Sequence, residues 1–363
     1  MKIIFDNIVF SLQKAGGISV VWQELISRFL KDKKNEISFL EYEMDKLNIF
    51  RQMLDIPQSM IKKISPWCFA IERYCNPNIK SKVPFIFHSS YLRICNNKNA
   101  INITTIHDFT YEYFYKNKRK GAFIHIWQRN KAIKKSDAIV CISENTKKDL
   151  LKFIPNINPN KIHVIHNGVS NDYHVIDDKK LELNNTILFV GARGAYKNGK
   201  WFVDAISKTD YEVLFCGRPL NEKDKAYYDK KLGKRYKIIS NISNQELNLI
   251  YNSVKCLVYP SSYEGFGIPI LEAQKAGCPV IAYNCSSIPE VIGETPLLMN
   301  NLTEEELYSK IHMLNDDSLR KTIIENGLKN AMRFSWDYTY EQYRNLYKRL
   351  LNIHACKRPK MTY

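Results

Sequence analysis

Apolar residues follow two rhythms along this chain. Short unbroken apolar runs, suited to strands buried on both faces, alternate with longer stretches whose apolar residues recur every third or fourth position, the period of a helix packed on one side. In the first half the runs predict strands at residues 3–5, 37–40, 85–88, 101–106, 138–142 and 163–165. The clearest helix is 17–30, with Ile18, Val21, Trp22, Leu25, Ile26, Phe29 and Leu30 along one stripe. A second set of runs predicts strands at 187–190, 213–216, 237–239, 256–259 and 279–282. The polar stretch 171–185, with Asp177-Asp178-Lys179-Lys180, predicts a linker between two domains, 1–170 and 186–336. Residues 337–351 form a last amphipathic helix, followed by a basic tail at 357–363. Strand–helix alternation of this kind makes parallel sheets with crossover helices, so the expected fold class is α/β, two doubly wound, Rossmann-like domains in tandem. Ligands of such sheets sit beyond the carboxyl ends of the strands, and two such domains facing each other would share a cleft.

Composition narrows the class. The 363 residues are 45% hydrophobic and 25% charged, as in a soluble globular protein. No stretch approaches the roughly 20 apolar residues that span a bilayer, and Met1-Lys2-Ile3-Ile4-Phe5-Asp6 reads as a first strand, not a signal peptide. Nine cysteines without a C-x-x-C pair point to reduced thiols in the cytoplasm, without a zinc site. The net charge of +17 is uneven: residues 1–150 hold 25 Lys and Arg against 14 Asp and Glu, the remainder 29 against 23. A basic first half suits anionic partners such as a phosphorylated substrate, an acidic lipid surface or nucleic acid; a lysine-rich solvated surface accounts for it equally.

The chemistry concentrates in loops at predicted strand ends. Tyr263-Glu264-Gly265-Phe266-Gly267-Ile268-Pro269-Ile270-Leu271-Glu272 joins the strand at 256–259 to a helix over 268–276 that Gly277 closes. Pro269 suits the first turn, and the helix start leaves N–H groups open to an anion. Glu272 shares a face with that start and Glu264 stands at the strand's exit, an arrangement suited to a phosphate flanked by sugar hydroxyls, though two solvated acids would read the same. Arg193 and Lys197, in Gly191-Ala192-Arg193-Gly194-Ala195-Tyr196-Lys197-Asn198, precede another helix and could clamp a diphosphate or simply face solvent. His107-Asp108 follows the strand at 101–106, either an oriented imidazole or a histidine bonded to nearby backbone. Gly16-Gly17 opens the first helix, as a ligand approach or as a plain tight turn. Without G-x-G-x-x-G or H-E-x-x-H, neither dinucleotide nor metal binding is expected.

Taken in order, Gly16-Gly17, Thr105-Ile106-His107-Asp108, Ser143-Glu144-Asn145-Thr146, His166-Asn167-Gly168-Val169, Val190-Gly191-Ala192-Arg193 with Tyr196-Lys197-Asn198, Tyr259-Pro260-Ser261-Ser262-Tyr263-Glu264-Gly265-Phe266-Gly267 and Pro289-Glu290-Val291 resemble the family 4 retaining glycosyltransferases, which have the two-domain GT-B fold. The resemblance runs from about residue 3 to 350, and the stretch from Glu264 to Glu272 is its most specific part. It implies that Glu272 bonds the ribose of a nucleotide-diphosphate sugar, that Arg193 and Lys197 neutralise the diphosphate, and that Glu264 and the Phe266-Gly267-Ile268 backbone approach the sugar. His107, beside Asp108, would reach a sugar hydroxyl from the first domain, Gly17 would approach the diphosphate, and the last helix would return to the first domain. Many relatives place the arginine directly after the glycine; here Ala192 intervenes, which puts the contact of Arg193 in doubt.

The implied reaction is metal-independent hexosyl transfer with retention, needing no cofactor beyond the donor, and Tyr196-Lys197-Asn198 leans towards mannosyl-type transfer. The expected acceptor is a glycan or lipid-linked glycan of a cell-surface polysaccharide such as lipopolysaccharide, with the enzyme cytoplasmic and peripheral on the inner membrane face. Residues 47–82 mix Phe50, Met53, Leu54, Ile61, Ile64, Trp67 and Phe69 with Arg51, Lys62, Lys63 and Arg73, a pattern that fits an anionic membrane surface or inward packing in the first domain. Rivals are a nucleotide-sugar epimerase or phosphorylase on the same architecture, an inactive sugar-binding subunit, and a basic nucleic-acid-binding protein, for which no recognition motif is present.

Overall fold

The computed structural model describes residues 1–65, 68–116, 121–177 and 183–356. Trp67, the stretch Asp178-Lys179-Lys180 and the basic tail lie outside them. The chain divides into two compact units, Met1–Asn167 with the segment from Trp336 onward, and Gly168–Ser335.

The first unit is built on a seven-stranded parallel sheet in the order β3-β2-β1-β4-β5-β6-β7. Its strands are β1 (Lys2–Asp6), β2 (Glu36–Tyr42), β3 (Ile61–Ile64), β4 (Phe85–Ser89), β5 (Ala100–Ile106), β6 (Ala138–Cys141) and β7 (Ile162–Val164). The helix Gly17–Lys31 lays its predicted stripe on one face, where Trp22, Leu25, Ile26 and Phe29 join Phe5, Phe39 and Ile103 in a common core. The other face holds a smaller cluster around Ile4, Leu40, Phe85 and Phe87.

The long final helix, Trp336–Cys356, belongs to this unit. Tyr347 stacks on Phe29 at 5.3 Å between ring centres, and its hydroxyl meets Nδ1 of the fully buried His88 at 2.5 Å. Nε2 of His88 is 2.9 Å from the Thr105 hydroxyl, which lies 3.1 Å from Tyr343 Oη. Burial pushes the His88 pKa down to about 3, so the ring is neutral. Polar groups this deep are tolerable because both ring nitrogens are engaged.

The second unit carries a six-stranded parallel sheet, β10-β9-β8-β11-β12-β13, made of β8 (Leu183–Val190), β9 (Glu212–Cys216), β10 (Tyr236–Ile239), β11 (Val254–Tyr259), β12 (Val280–Tyr283) and β13 (Leu298–Met299). Its core is Phe189, Phe202, Val203, Phe215, Val258 and Ile281 with their neighbours.

Expected strands recur within a residue or two of their positions, with three differences. β3 and β13 are additional: the first is an edge strand with two lysines at its centre and the second only two residues long, so neither makes an apolar run. β8 begins at Leu183, inside the stretch expected to be linker, because Asn184 and Asn185 extend the strand beyond its apolar part. Residues 174 and 176 of that stretch are also fixed, their N–H groups donating to Asn248 and Asn252 at 3.0 and 2.8 Å. Segment 47–82 is no continuous amphipathic element. Leu54, Phe50, Ile61 and Ile64 pack inward, whereas Leu47, Ile49 and Met53 are exposed.

Asp45 is fully buried; it accepts from the Ser11 hydroxyl and from the Tyr42 N–H at 2.8 Å. Burial outweighs these bonds and raises its pKa to about 8. A carboxyl raised on folding is protonated in the native state while ionised in the unfolded chain, so its contribution is intact at low pH and lost as pH climbs towards and through 8. Thermal unfolding at pH 6 and pH 9 should show a midpoint drop that Asp45→Asn makes smaller.

Candidate active site

In the second unit, β8 and β11 are parallel neighbours, with Ile187 beside Cys256 and Leu188 beside Leu257. Their exits therefore lie side by side, and each exit loop leads into a helix, Gly199–Ser207 after β8 and Ile268–Lys275 after β11. Lys197 and Glu264, one from each loop, form an ion pair with Nζ 2.5 Å from Oε1. The Lys197 ammonium lies 5.6 Å from the ring centre of Tyr259 and 5.3 Å from that of Tyr196, and the Tyr259 hydroxyl also bonds the Glu264 carboxylate.

The loop carrying Glu264 is held from two sides. Asn198, in the left-handed region at φ 53°, donates through Nδ2 to the Pro260 carbonyl at 2.8 Å and to the Ser262 hydroxyl at 2.6 Å. From the β12 side, Ser286 accepts from the Glu264 N–H at 2.9 Å, and Ser287 Oγ lies 2.9 Å from the carbonyls of both Glu264 and Phe266. The Phe266 side chain is buried, edge-on to Phe334 at 5.7 Å, so only its backbone is left for a ligand. Gly267 begins the helix at φ +109°, a conformation side chains rarely adopt. Among the described residues the N–H groups of Gly267 and Ile268 donate to no protein acceptor. With Pro269 in the first turn, this helix start is an anion site in form.

Glu272 lies one turn into that helix. The Tyr251 hydroxyl donates to its Oε2 at 3.2 Å and the Tyr173 hydroxyl also bonds it. Burial pushes its pKa up to about 7, with the two phenols pulling the other way. Nothing in the apolar pattern separates Tyr173 and Tyr251 from ordinary core tyrosines; only their placement beside the half-buried Glu272 carboxylate does.

Arg193 does not join this group. Its guanidinium donates to the carbonyls of Arg218 and, at 3.3 Å, Pro219, and Nη1 is buried with no hydrogen-bond partner among the described residues. The residue is caught between β8 and β9: Gly217 leaves so little room that a β-carbon there would stand 2.6 Å from the Gly191 carbonyl and 3.5 Å from Arg193 Nη1. The doubt raised by Ala192 thus has a physical form. The guanidinium lies at the β9 exit, on the carbonyls of Arg218 and Pro219.

In the first unit, His107 and Asp108 at the β5 exit line a cavity of about 100 Å³ together with Ile18, Ser90, Tyr91, Leu92, Tyr111, His125 and Arg129. Ile18 follows Gly17, so the start of the helix Gly17–Lys31 after β1 and the histidine after β5 meet at one cavity across the exit of β4, which lies between those two strands. The approach to that helix is braced by Asn48, which donates to the Gln13 carbonyl at 2.7 Å and the Ser19 hydroxyl at 3.0 Å. A β-carbon at Gly16 would meet the Gln13 amide, whereas one at Gly17 meets nothing. Burial lowers the His107 pKa to about 4 against the opposing pull of Asp108, leaving a neutral ring able to donate or accept. Asp108 itself accepts from the Thr110 N–H at 2.8 Å. Tyr91, Tyr111 and His125 were not foreseen; His125 stacks on Tyr111 at 3.9 Å and bonds Tyr91 at 2.9 Å.

No group of three or more His, Cys, Asp and Glu among the described residues is placed to hold a metal ion.

Two family models match the chain in tandem, "Glycosyltransferase Family 4" over residues 79–173 and "Glycosyl transferases group 1" over residues 176–330. The chain belongs to the family 4 glycosyltransferases. It is 28% identical to an uncharacterised glycosyltransferase of Methanocaldococcus jannaschii, over 96% of this chain and 99% of that one. To the O-antigen chain mannosyltransferase B of Escherichia coli it is 26% identical, over 68% of this chain and 70% of the relative. Among solved structures, HepE from Anabaena in complex with UDP and glucose aligns over 95% of this chain and 99% of its own, with a TM-score of 0.70 at 14% identity. That likeness is one of fold: the architecture of this glycosyltransferase is GT-B, as its motif order implied.

Asn198 makes a discriminating test of the loop brace. Asn198→Gly keeps the left-handed backbone and loses two hydrogen bonds, at about 1 kcal/mol each. Asn198→Ala adds about 1 kcal/mol of backbone strain. Denaturant unfolding should rank wild type above glycine above alanine, with faster amide exchange at residues 260–267 in both variants.

Proposed function

We propose that this glycosyltransferase moves a hexosyl unit, with retention and without a metal ion, from a nucleotide-diphosphate sugar to a glycan or lipid-linked glycan of a cell-surface polysaccharide. The observation that carries this is the grouping of Lys197, Glu264 and Glu272 around the open helix start at Gly267-Ile268. Glu272 takes the ribose hydroxyls, Lys197 and the two free N–H groups take the diphosphate, and Glu264 turns to the donor sugar when Lys197 exchanges it for phosphate. In the first unit the neutral His107 serves a sugar hydroxyl and the helix start at Gly17 the diphosphate.

In the reaction the bond between the anomeric carbon and the diphosphate oxygen breaks, and a bond from that carbon to the acceptor oxygen forms on the same face. The acceptor's proton passes to the departing phosphate. Positive charge grows on the sugar and negative charge on the diphosphate, where an ammonium and preorganised N–H groups stabilise it in a role a divalent ion fills elsewhere. A covalent intermediate on Glu264 would need its carboxylate free to face the anomeric carbon; its pairing with Lys197 and Tyr259 favours hydroxyl binding instead. Arg193, held at the β9 exit, is assigned the support of the loop and not the clamp. The mannosyltransferase names of bacterial relatives support mannose as the hexose and O-antigen-type polysaccharide as the product. No helix among the described residues is long and apolar enough to cross a membrane, and a lipid-linked acceptor implies peripheral association on the cytoplasmic face.

A thermal-shift screen of nucleotide diphosphates and their sugars should stabilise the protein with one base, and Glu272→Ala should abolish the shift. Lys197→Ala and Glu264→Ala should each lose most turnover, by about 100-fold or more, while keeping the unfolding midpoint near wild type. Wild-type rates in both would remove these residues from the chemistry.

The pH dependence follows from Glu272. With a pKa near 7 the carboxyl is neutral below and charged above, and only the charged form accepts two ribose hydroxyls. Nucleotide diphosphate affinity should rise with pH from about 6 to 8, and Glu272→Gln should bind more weakly with that rise removed, as calorimetric titration would record.

A further inference from the structure

The helix Ala122–Lys135 of the first unit has two faces with different work. Its inner face supplies His125 and Arg129 to the cavity that holds His107, with Ala132 and Ile133 buried alongside. Its outer face presents Phe123, 72% exposed, and one turn later Trp127, 55% exposed. At about 100° per residue, Phe123, Trp127, Lys131 and Lys134 fall within an arc of about 80°. The Lys131 ammonium sits 4.9 Å from the Trp127 ring centre, and Lys134 and Lys135 follow in the last turn, Lys134 exposed beside the aromatic pair. The helix contains no aspartate or glutamate. Two large aromatic side chains in water, beside lysines that form no ion pair among the described residues, are costly to a surface that meets only solvent.

We propose that this outer face docks the protein on an anionic phospholipid bilayer, with Phe123 and Trp127 seated among the headgroups and Lys131 and Lys134 against the lipid phosphates. The inference deepens the proposed function and rests on its lipid-linked acceptor. The same helix carries the membrane contact on one side and the His107 cavity on the other, so docking would hold that cavity one helix thickness from the lipid surface. Charge decides between this face and the other exposed apolar group, Met44, Leu47, Ile49 and Met53. There the cations are already answered within the protein, Lys46 by Glu43 and Arg51 by Glu41, so little attraction to anionic lipid remains.

Co-sedimentation of the full chain with vesicles decides it. Wild type should bind phosphatidylglycerol-containing vesicles at low salt, release as salt is raised, and bind pure phosphatidylcholine at least tenfold less well. Phe123→Ser/Trp127→Ser and, separately, Lys131→Glu/Lys134→Glu should each lower partitioning by about tenfold or more, while Leu47→Ser/Met53→Ser leaves it unchanged. Unfolding midpoints equal to wild type exclude misfolding, and the charge pair serves if the aromatic variant is unstable. No binding to anionic vesicles, undiminished binding by both helix variants, loss only in the Leu47/Met53 variant, or retention on single-stranded RNA in place of vesicles would each overturn the proposal. Vesicle binding needs no donor, whereas the nucleotide thermal shift needs no membrane. The two readouts therefore separate failure of this surface from failure of the proposed chemistry.

Discussion

The parallel pairing of β8 with β11 is the constraint on which the candidate site depends. These strands are separated in sequence by β9, β10 and their helices, yet they are hydrogen-bonded neighbours at the sheet's centre. Parallel neighbours discharge their chains at the same edge, so two loops distant in sequence must emerge together. Lys197 and Glu264, 67 positions apart, meet for that reason. The Lys197–Glu264 contact adds little that the sheet has not already arranged. What the loops contribute is stiffness: Asn198 on one side and Ser286 and Ser287 on the other tie the chain between Pro260 and Phe266 to its neighbours. A helix start held this firmly keeps its free N–H groups aimed without a reorganisation cost on binding.

The first unit solves the same problem with a different brace. His107 leaves β5, and two residues earlier Thr105 bonds both His88 on β4 and Tyr343 on the final helix. The final helix is therefore more than a cover for the helix Gly17–Lys31. Its Tyr343 and Tyr347 complete a buried polar chain that fixes the ends of β4 and β5. Such a network is worth having only when complete, since a lone buried imidazole or phenol would cost more than an apolar residue in its place. Neutral His88 behind neutral His107 leaves the imidazole side of the cavity wall uncharged, and the Arg129 guanidinium in the same wall is paired with Glu112.

Much of this was legible in the sequence because buried parallel strands write themselves as apolar runs, and eleven of the strands do so. β3 and β13 escaped for the converse reason. An edge strand whose two central residues, Lys62 and Lys63, are both exposed has no run to display, and Leu298–Met299 is too short to have a rhythm. Motif order carried the family, and loop position after a strand identified Glu264, Lys197 and His107. The side-chain partners were not legible. Tyrosine counts as apolar in a pattern, so Tyr173 and Tyr251 look like core until Glu272 is found between their hydroxyls. For Arg193, spacing alone could flag the inserted Ala192 but not that the guanidinium would settle on the carbonyls after β9.

That displacement alters the electrostatics of the group. With Arg193 engaged elsewhere and Lys197 paired to Glu264, the cluster carries no spare formal cation, and Glu272 is close to half protonated near neutral pH. An entering diphosphate therefore gains an ammonium only by taking it from Glu264, and the exchange returns less than an unpaired lysine would. Ground-state attraction is moderated in this way, while the carboxylate so released is free to accept donor hydroxyls. As the sugar–phosphate bond lengthens, charge on the departing oxygens grows and Lys197 is worth more there than at first contact. An ion pair that loosens binding of the intact donor yet surrenders its cation to the leaving group discriminates between the two states, and that difference is what accelerates a reaction.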